Sequence, residues 1–173
     1  MSDRINQSQL SKLLIEVFRS SKKFFKNLES FNFKTTYKPD NSPLTILDKK
    51  IDSFVKEELN KFRNDFSIIS EESGQKKLDS EYVWVIDSID GTKELISGSD
   101  EFTVNIALIQ NKLPIFGGIY QPLKDTIFLG GSDLSPVKIK GTKALALKNQ
   151  EKELCNIVIS KSHSSDRERE FYR

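Results

Sequence analysis

The run Tyr82-Val-Trp-Val-Ile86 is β-branched and aromatic without a break, the composition of a strand buried in a protein interior. The rest of the chain has to be arranged around it. Asp87 and Asp90 stand at its exit, followed at once by Gly91 and Thr92. Hard carboxylate oxygens beside a tight turn and exposed backbone N–H groups suit a divalent cation holding a phosphate. An Asp-rich turn after a strand is in most proteins a solvated loop whose side chains bond the local backbone. These residues alone leave both readings open. A calcium loop of the EF-hand kind fails, because with Gly91 as its glycine the ligands fall on Ile86 and Ser88 and the closing glutamate on Ser97.

Upstream, Leu10, Leu13, Leu14, Val17, Phe18, Phe24, Phe25 and Leu28 recur at helical spacing with basic residues between them. This predicts one amphipathic helix whose lysines form a solvated face rather than a phosphate or membrane patch. Phe31 to Tyr37 reads as a strand, and Lys38-Pro-Asp-Asn-Ser-Pro43 breaks regular structure. A second helix follows with Ile51, Phe54, Val55, Leu59 and Phe62 on one side. Asp48 falls in its first turn, where it either caps the helix or, with Thr45 as the cap, stays available for other work.

Phe66 to Ser70 reads as a short strand ending on Glu71 and Glu72. If that strand lies beside the next one, Glu71 joins Asp87 and Asp90 at one sheet edge. Like charges about 4 Å apart cost on the order of 4 kcal/mol per pair at an effective dielectric of 20. A bound cation relieves such repulsion at neutral pH. Further on, Thr103 to Ile109 and Ile115 to Tyr120 suit an antiparallel hairpin, and Thr126 to Leu129, Pro136 to Lys140 and Ala144 to Leu147 suit three more strands. Helices followed by a run of strands predict an α+β layered fold.

The overall balance excludes several classes of partner. Lys and Arg total 27 against 25 Asp and Glu, a net charge of +2, so no nucleic acid polymer is implied. No apolar run approaches the roughly 18 residues of a transmembrane segment. The amino terminus lacks a signal-peptide pattern, and one cysteine, Cys155, excludes an internal disulfide. A cytoplasmic protein, at most peripheral to the inner membrane, is the expectation. His163, the single histidine, reads as a loop or capping residue.

Four segments, Ser42-Pro-Leu-Thr-Ile-Leu-Asp48, Ser70-Glu-Glu72, Trp84-Val-Ile-Asp-Ser-Ile-Asp-Gly-Thr92 and Glu101-Phe-Thr-Val-Asn-Ile-Ala-Leu108, occur in the order and spacing of one family. They resemble the inositol monophosphatase superfamily of magnesium-dependent, lithium-sensitive phosphatases. Asp90-Gly-Thr-Lys-Glu94 and Glu101-Phe-Thr-Val-Asn105 look most like its CysQ branch, the 3'(2'),5'-bisphosphate nucleotidases. The resemblance implies a layered α/β sandwich with an antiparallel sheet and two helices over residues 1–152, then the start of a truncated second domain over 153–173. Ile159-Ser-Lys-Ser-His163 resembles the opening of that second domain.

It also implies roles residue by residue. Glu71, Asp87 and Asp90, with the main-chain carbonyl of Ile89, would hold the metal. Gly91 and Thr92 would bind the scissile phosphate beside Ile89 and Asp90, and Lys38 would reach in from a mobile loop. Asp48, Thr92 and Glu71 would orient and deprotonate the attacking water. The implied cofactor is Mg2+, in two or three ions with lithium inhibition, and the implied substrate is 3'-phosphoadenosine 5'-phosphate, split to AMP and phosphate. An inositol or sugar phosphate is the alternative substrate class. The sequence departs from the family pattern at Ser88, where proline is usual, at Leu95, where an aromatic is typical, and at Leu47, commonly alanine. The family's further metal-binding aspartate lies in a Trp-Asp motif beyond these residues, so a metal-binding remnant without turnover, or a homodimer, stays open.

Overall fold

A computed structural model of the chain describes residues 5–26, 28, 35–37, 43–72 and 80–148. The first helix, α1 (Gln7–Ser21), opens where the Asn6 side chain accepts the Ser8 N–H at 2.8 Å. Leu10, Leu14, Val17 and Phe18 form its buried stripe. The spacing predicts a continuous helix to Leu28, but α1 stops earlier. Ser21 Oγ donates back to the Phe18 carbonyl at 2.7 Å, and Lys22–Phe25 tightens into a 3-10 turn. The change of pitch splits two adjacent aromatics: Phe24 meets Phe54 at 5.3 Å between ring centres, and Phe25 meets Phe102 at 5.7 Å.

Strands β1 (Thr35–Tyr37) and β2 (Pro43–Thr45) pair antiparallel as a short ribbon, with Pro43 at the strand start, where its missing N–H costs least. Helix α2 (Ile46–Phe62) follows directly. Among the described residues the main sheet takes seven strands in sequence order: β3 (Ser67–Ser70), β4 (Tyr82–Asp90), β5 (Thr103–Gln110), β6 (Leu113–Gln121), β7 (Thr126–Gly131), β8 (Leu134–Lys140) and β9 (Lys143–Ala146). A short helix, α3 (Thr92–Ile96), leaves the end of β4. The predicted hairpin between β5 and β6 turns on Asn111 and Lys112, both at positive φ, the twist a two-residue connection needs.

The sheet departs from the wholly antiparallel expectation at one pair. From β4 onward every pairing is antiparallel, but β3 and β4 run parallel. Residues 71–81 lie between those strands, and a crossover takes about ten residues or more, where a hairpin turn takes two to five. The consequence is positional: both strands end at the same edge of the sheet.

Alternation then sorts the side chains. Trp84, Ile86, Val104, Ile106, Leu108, Tyr120 and Leu129 are buried together with Leu14, Phe18, Ile51 and Val55 of the two helices. The approach is close at Gly118, where an added Cβ would lie 2.8 Å from a Phe18 ring carbon. Phe18 stacks on Tyr120 at 5.5 Å. The opposite sheet face carries the exposed Leu145 and an open cavity of about 470 Å³ lined by the exposed Val85 and Ile119, with Asp87 and Asn105 also among its lining residues. Among the described residues no helix is long and apolar enough to cross a membrane. Lys38, Cys155, His163 and the unit expected over residues 153–173 lie outside the described residues.

Two expectations follow from this packing. Phe18→Ala removes a fully buried ring and lowers unfolding free energy by about 3–5 kcal/mol, whereas Leu113→Ala on an exposed strand end stays within about 0.5 kcal/mol; urea denaturation of both variants reads the difference. Lys22 Nζ donates to Asp125 Oδ2 at 2.8 Å, tying the end of α1 to the turn before β7, and this bond holds the Asp125 carboxyl below its ordinary pKa. A lowered native pKa stabilises above the unfolded carboxylate value and fades as pH falls through the native one. Asp125→Asn, which tolerates the φ of +47°, therefore flattens the acid side of the melting temperature against pH profile.

Candidate active site

In a regular strand, residues three apart face opposite sides of the sheet, so Asp87 and Asp90 should diverge. They do not, because β4 carries one extra residue between them. Asp87 pairs with Asn105 and Asp90 with Thr103, so three steps along β4 match two along β5. Asn105 and Thr103 share a face, and the bulge returns Asp90 to the side of Asp87. Ser88 and Ile89 absorb the shift and are both buried. The strand thus runs through Asp90, four residues beyond the apolar run that announces it. Asn105 Nδ2 donates to Asp90 Oδ2 at 3.5 Å, and its Oδ1 accepts the Thr103 hydroxyl at 3.0 Å.

Gly91 follows with φ +95° as the cap of α3. An added Cβ there would lie 2.9 Å from the Glu101 carbonyl oxygen and 3.2 Å from Phe102 Cα, so both the torsion and the close approach demand glycine. The N–H groups of Gly91 and Thr92 lie at the head of the short helix, where they have no partner within it.

Asp48 lies behind this turn at 1% exposure. The sequence left its role between a cap and other work, and the structure shows it doing both. Thr45 is the N-cap of α2, its hydroxyl accepting the N–H groups of Leu47 and Asp48 at 3.1 and 3.4 Å. The Thr45 N–H donates to Asp48 Oδ2 at 2.8 Å, closing a capping box, and the Thr45 hydroxyl donates to the same oxygen. That leaves Oδ1 to accept the Thr92 hydroxyl at 3.1 Å, across 44 positions of sequence. A buried carboxylate has to be hydrogen-bonded, and these three donors do it. The Thr92 hydroxyl also lies 3.2 Å from the Ile89 carbonyl, the second acceptor for its one proton.

Glu71 follows β3 directly. Ser70 pairs with Ile86 in the parallel ladder, and the Glu71 N–H continues it by donating to the Ile86 carbonyl at 3.3 Å. Glu71 is therefore carried at the strand end next to Asp87. Among the described residues no group of three or more acidic, histidine or cysteine side chains is drawn close enough to enclose a metal ion. Glu71 follows the end of β3, and Asp87 and Asp90 stand at the end of the adjacent parallel strand β4. In kind the donors suit a hard divalent cation such as magnesium: carboxylates from two adjacent strand ends with the Ile89 carbonyl between Asp87 and Asp90.

Asn105 and Thr103 were not singled out as site residues from the sequence, although a polar pair inside an otherwise apolar strand was the available signal. Asp52 and Ser70, buried at 6% and 1%, were also passed over. Gly91→Ala is expected to lower stability by about 1–3 kcal/mol from the left-handed torsion alone, with the Glu101 contact adding to it. Differential scanning calorimetry checks this, with Gly98→Ala as the comparison, since Gly98 has positive φ but nothing within 4 Å of its added Cβ.

Comparison with known proteins places this geometry. Residues 6–172 match the inositol monophosphatase family. A 3'(2'),5'-bisphosphate nucleotidase CysQ of Buchnera aphidicola is 34% identical over 135 residues, which is 76% of this chain and 51% of the relative. A fructose-1,6-bisphosphatase/inositol-1-monophosphatase of Aquifex aeolicus is 33% identical over 108 residues, 59% of this chain and 41% of the relative. The crystal structure of an IMPase/NADP phosphatase complexed with Mg2+ and phosphate shares the fold with a TM-score of 0.69 at 18% identity, over 77% of this chain and 52% of that one. The chain spans about half the length of the curated relatives it matches. Because the match takes in every element that carries Asp48, Glu71, Asp87, Asp90 and Thr92, the chain belongs to the inositol monophosphatase family.

Proposed function

We propose that this chain carries the metal- and phosphate-binding half of a magnesium-dependent phosphomonoesterase acting on 3'-phosphoadenosine 5'-phosphate. The observation that carries the reading is the Thr92 hydroxyl bonded to buried Asp48 beside a strand end that presents Asp87 and Asp90 on one side. Support for the substrate comes from the CysQ relative and from the Asp90-Gly-Thr-Lys-Glu94 and Glu101-Phe-Thr-Val-Asn105 segments. The Aquifex relative favours a second substrate class, the sugar and inositol phosphates, on the same machinery.

Glu71, Asp87, Asp90 and the Ile89 carbonyl are the residues that would hold magnesium. Bound there, the ion supplies Lewis-acid polarisation of the phosphoryl group and a more acidic water, and lithium is expected to compete for the site. The chain's own residues do the remaining work. Asp48 is held by Thr45 on one oxygen, so its other oxygen keeps a fixed direction toward Thr92. Donation of the Thr92 proton to Asp48 turns an Oγ lone pair outward, where it accepts a hydrogen bond from the attacking water and orients it. As the water attacks phosphorus in line with the leaving 3'-oxygen, its proton passes to Thr92 Oγ1 and the Thr92 proton to Asp48 Oδ1. Glu71 offers a second acceptor to the same water. The Gly91 and Thr92 N–H groups meet phosphate oxygens at the turn. The ribose oxygen departs and takes a proton from solvent, giving AMP.

Phosphate release from 3'-phosphoadenosine 5'-phosphate, fructose 1,6-bisphosphate and inositol 1-phosphate, each with and without magnesium, tests the reading. The nucleotide is expected to be turned over fastest and only with the metal. Asp90→Asn is expected to abolish turnover, and Thr92→Ala to lower kcat by about 10²–10⁴-fold with Thr92→Ser restoring most of it. Unchanged turnover in Asp90→Asn would remove the mechanism.

A further inference from the structure

Helix α2 buries a second carboxylate one turn after Asp48. Asp52 is 6% exposed on the face that otherwise presents Ile51, Val55 and Leu59 to the core. A carboxylate among such neighbours is costly unless its oxygens are bonded, and both are. Oδ2 accepts Lys56 Nζ at 2.6 Å, and Oδ1 accepts the hydroxyl of Ser70. Ser70 is the last residue of β3 and is 1% exposed. Its Oγ in turn accepts the Glu72 N–H at 3.2 Å, so its single proton is committed to Asp52. The main chain around Glu71 is thereby bonded on both sides: its own N–H goes to the Ile86 carbonyl, and the next N–H goes through Ser70 to Asp52.

The two helix carboxylates thus reach two different strand ends. Asp48 holds Thr92, just past β4, and Asp52 holds Ser70, at the end of β3. Four residues along a helix span about 6 Å, close to the roughly 4.8 Å between adjacent strands. The spacing of Asp48 and Asp52 along the helix thus matches the spacing of the two strand ends they bond.

We propose that Asp52, acting through Ser70, is a positioning residue that places Glu71 against Asp87 for cation binding. The proposal rests on the phosphatase reading above, since it concerns the same cation. Neither Asp52 nor Ser70 touches the reacting groups. Their effect is on where Glu71 stands relative to the β4 ligands, so it appears in cation affinity before any turnover is measured.

The test is Mn2+ binding to the 173-residue chain, followed by titration calorimetry, with a melting curve for each variant. Ser70→Ala and Asp52→Leu, which removes both acceptor oxygens at similar volume, are each expected to bind Mn2+ about 10-fold or more weakly. Ser70→Thr, which keeps the hydroxyl, is expected to recover most of that loss. The double variant is expected to be no weaker than Ser70→Ala alone, because both changes cut one chain of bonds. A merely structural role for the pair lowers the melting temperature and leaves Mn2+ affinity within about twofold, and that result overturns the proposal while the phosphatase reading stands. Should Ser70→Ala fail to fold, Asp52→Leu decides alone. A wild-type chain that takes up no Mn2+ overturns both readings together.

Discussion

The Asp48 carboxylate is buried to 1% exposure, and the structure around it is organised by the need to satisfy it. One oxygen is spent on closing the amino-terminal end of α2, where Thr45 donates to it from both main chain and side chain. The other reaches out of the helix to Thr92, the first residue after the turn that ends β4. A cap usually serves only its own helix. Here the same side chain ties the helix layer to the turn that ends β4. Loss of the Thr92 bond alone would leave one oxygen of a buried charge without its donor, which costs more than a surface contact of the same length.

The second organising device is one surplus residue in β4. Without it, the strand's two-residue period would send Asp87 and Asp90 to opposite faces, one into the helix layer and one away from it. With it, Ser88 and Ile89 turn inward together and both aspartates remain available. Serine replaces the family's usual proline between them, and the bulge forms nonetheless, so the pairing to β5 rather than a preset φ maintains the geometry. The parallel pairing of β3 with β4 completes the arrangement, since it brings Glu71 to the same edge.

Much of this was legible in advance. The periodic stripe of α1, the apolar face of α2 and the alternating strands from Thr103 onward each announced their element, because helix and strand periods are local properties of the chain. Glu71, Asp87 and Asp90 were drawn to one edge by the strand reading, and Asp48 was joined to Thr92 only through the spacing of four segments resembling one family. The break of the first helix at Ser21 was not legible, because consecutive aromatics at 24 and 25 fit a helical stripe as well as they fit the diverging pockets of Phe54 and Phe102. Asp52 was hidden for a related reason. A carboxylate at an interior helical position reads as solvated until its strand partner, Ser70, is found 18 positions away.

By itself the sequence determined most of the helices and strands, though not the end of α1, the strand β2 at Pro43–Thr45 or the short α3, and it determined which faces are apolar and which residues offer hard oxygen to a cation. Those properties depend on neighbours within a few positions. Only the tertiary structure decided that β3 runs parallel to β4, that a bulge sets Asp87 and Asp90 on one side, and that Asp48 and Asp52 each reach a different strand end. Strand pairing and buried hydrogen bonds join residues distant along the chain, and their energies exist only once the layers have closed.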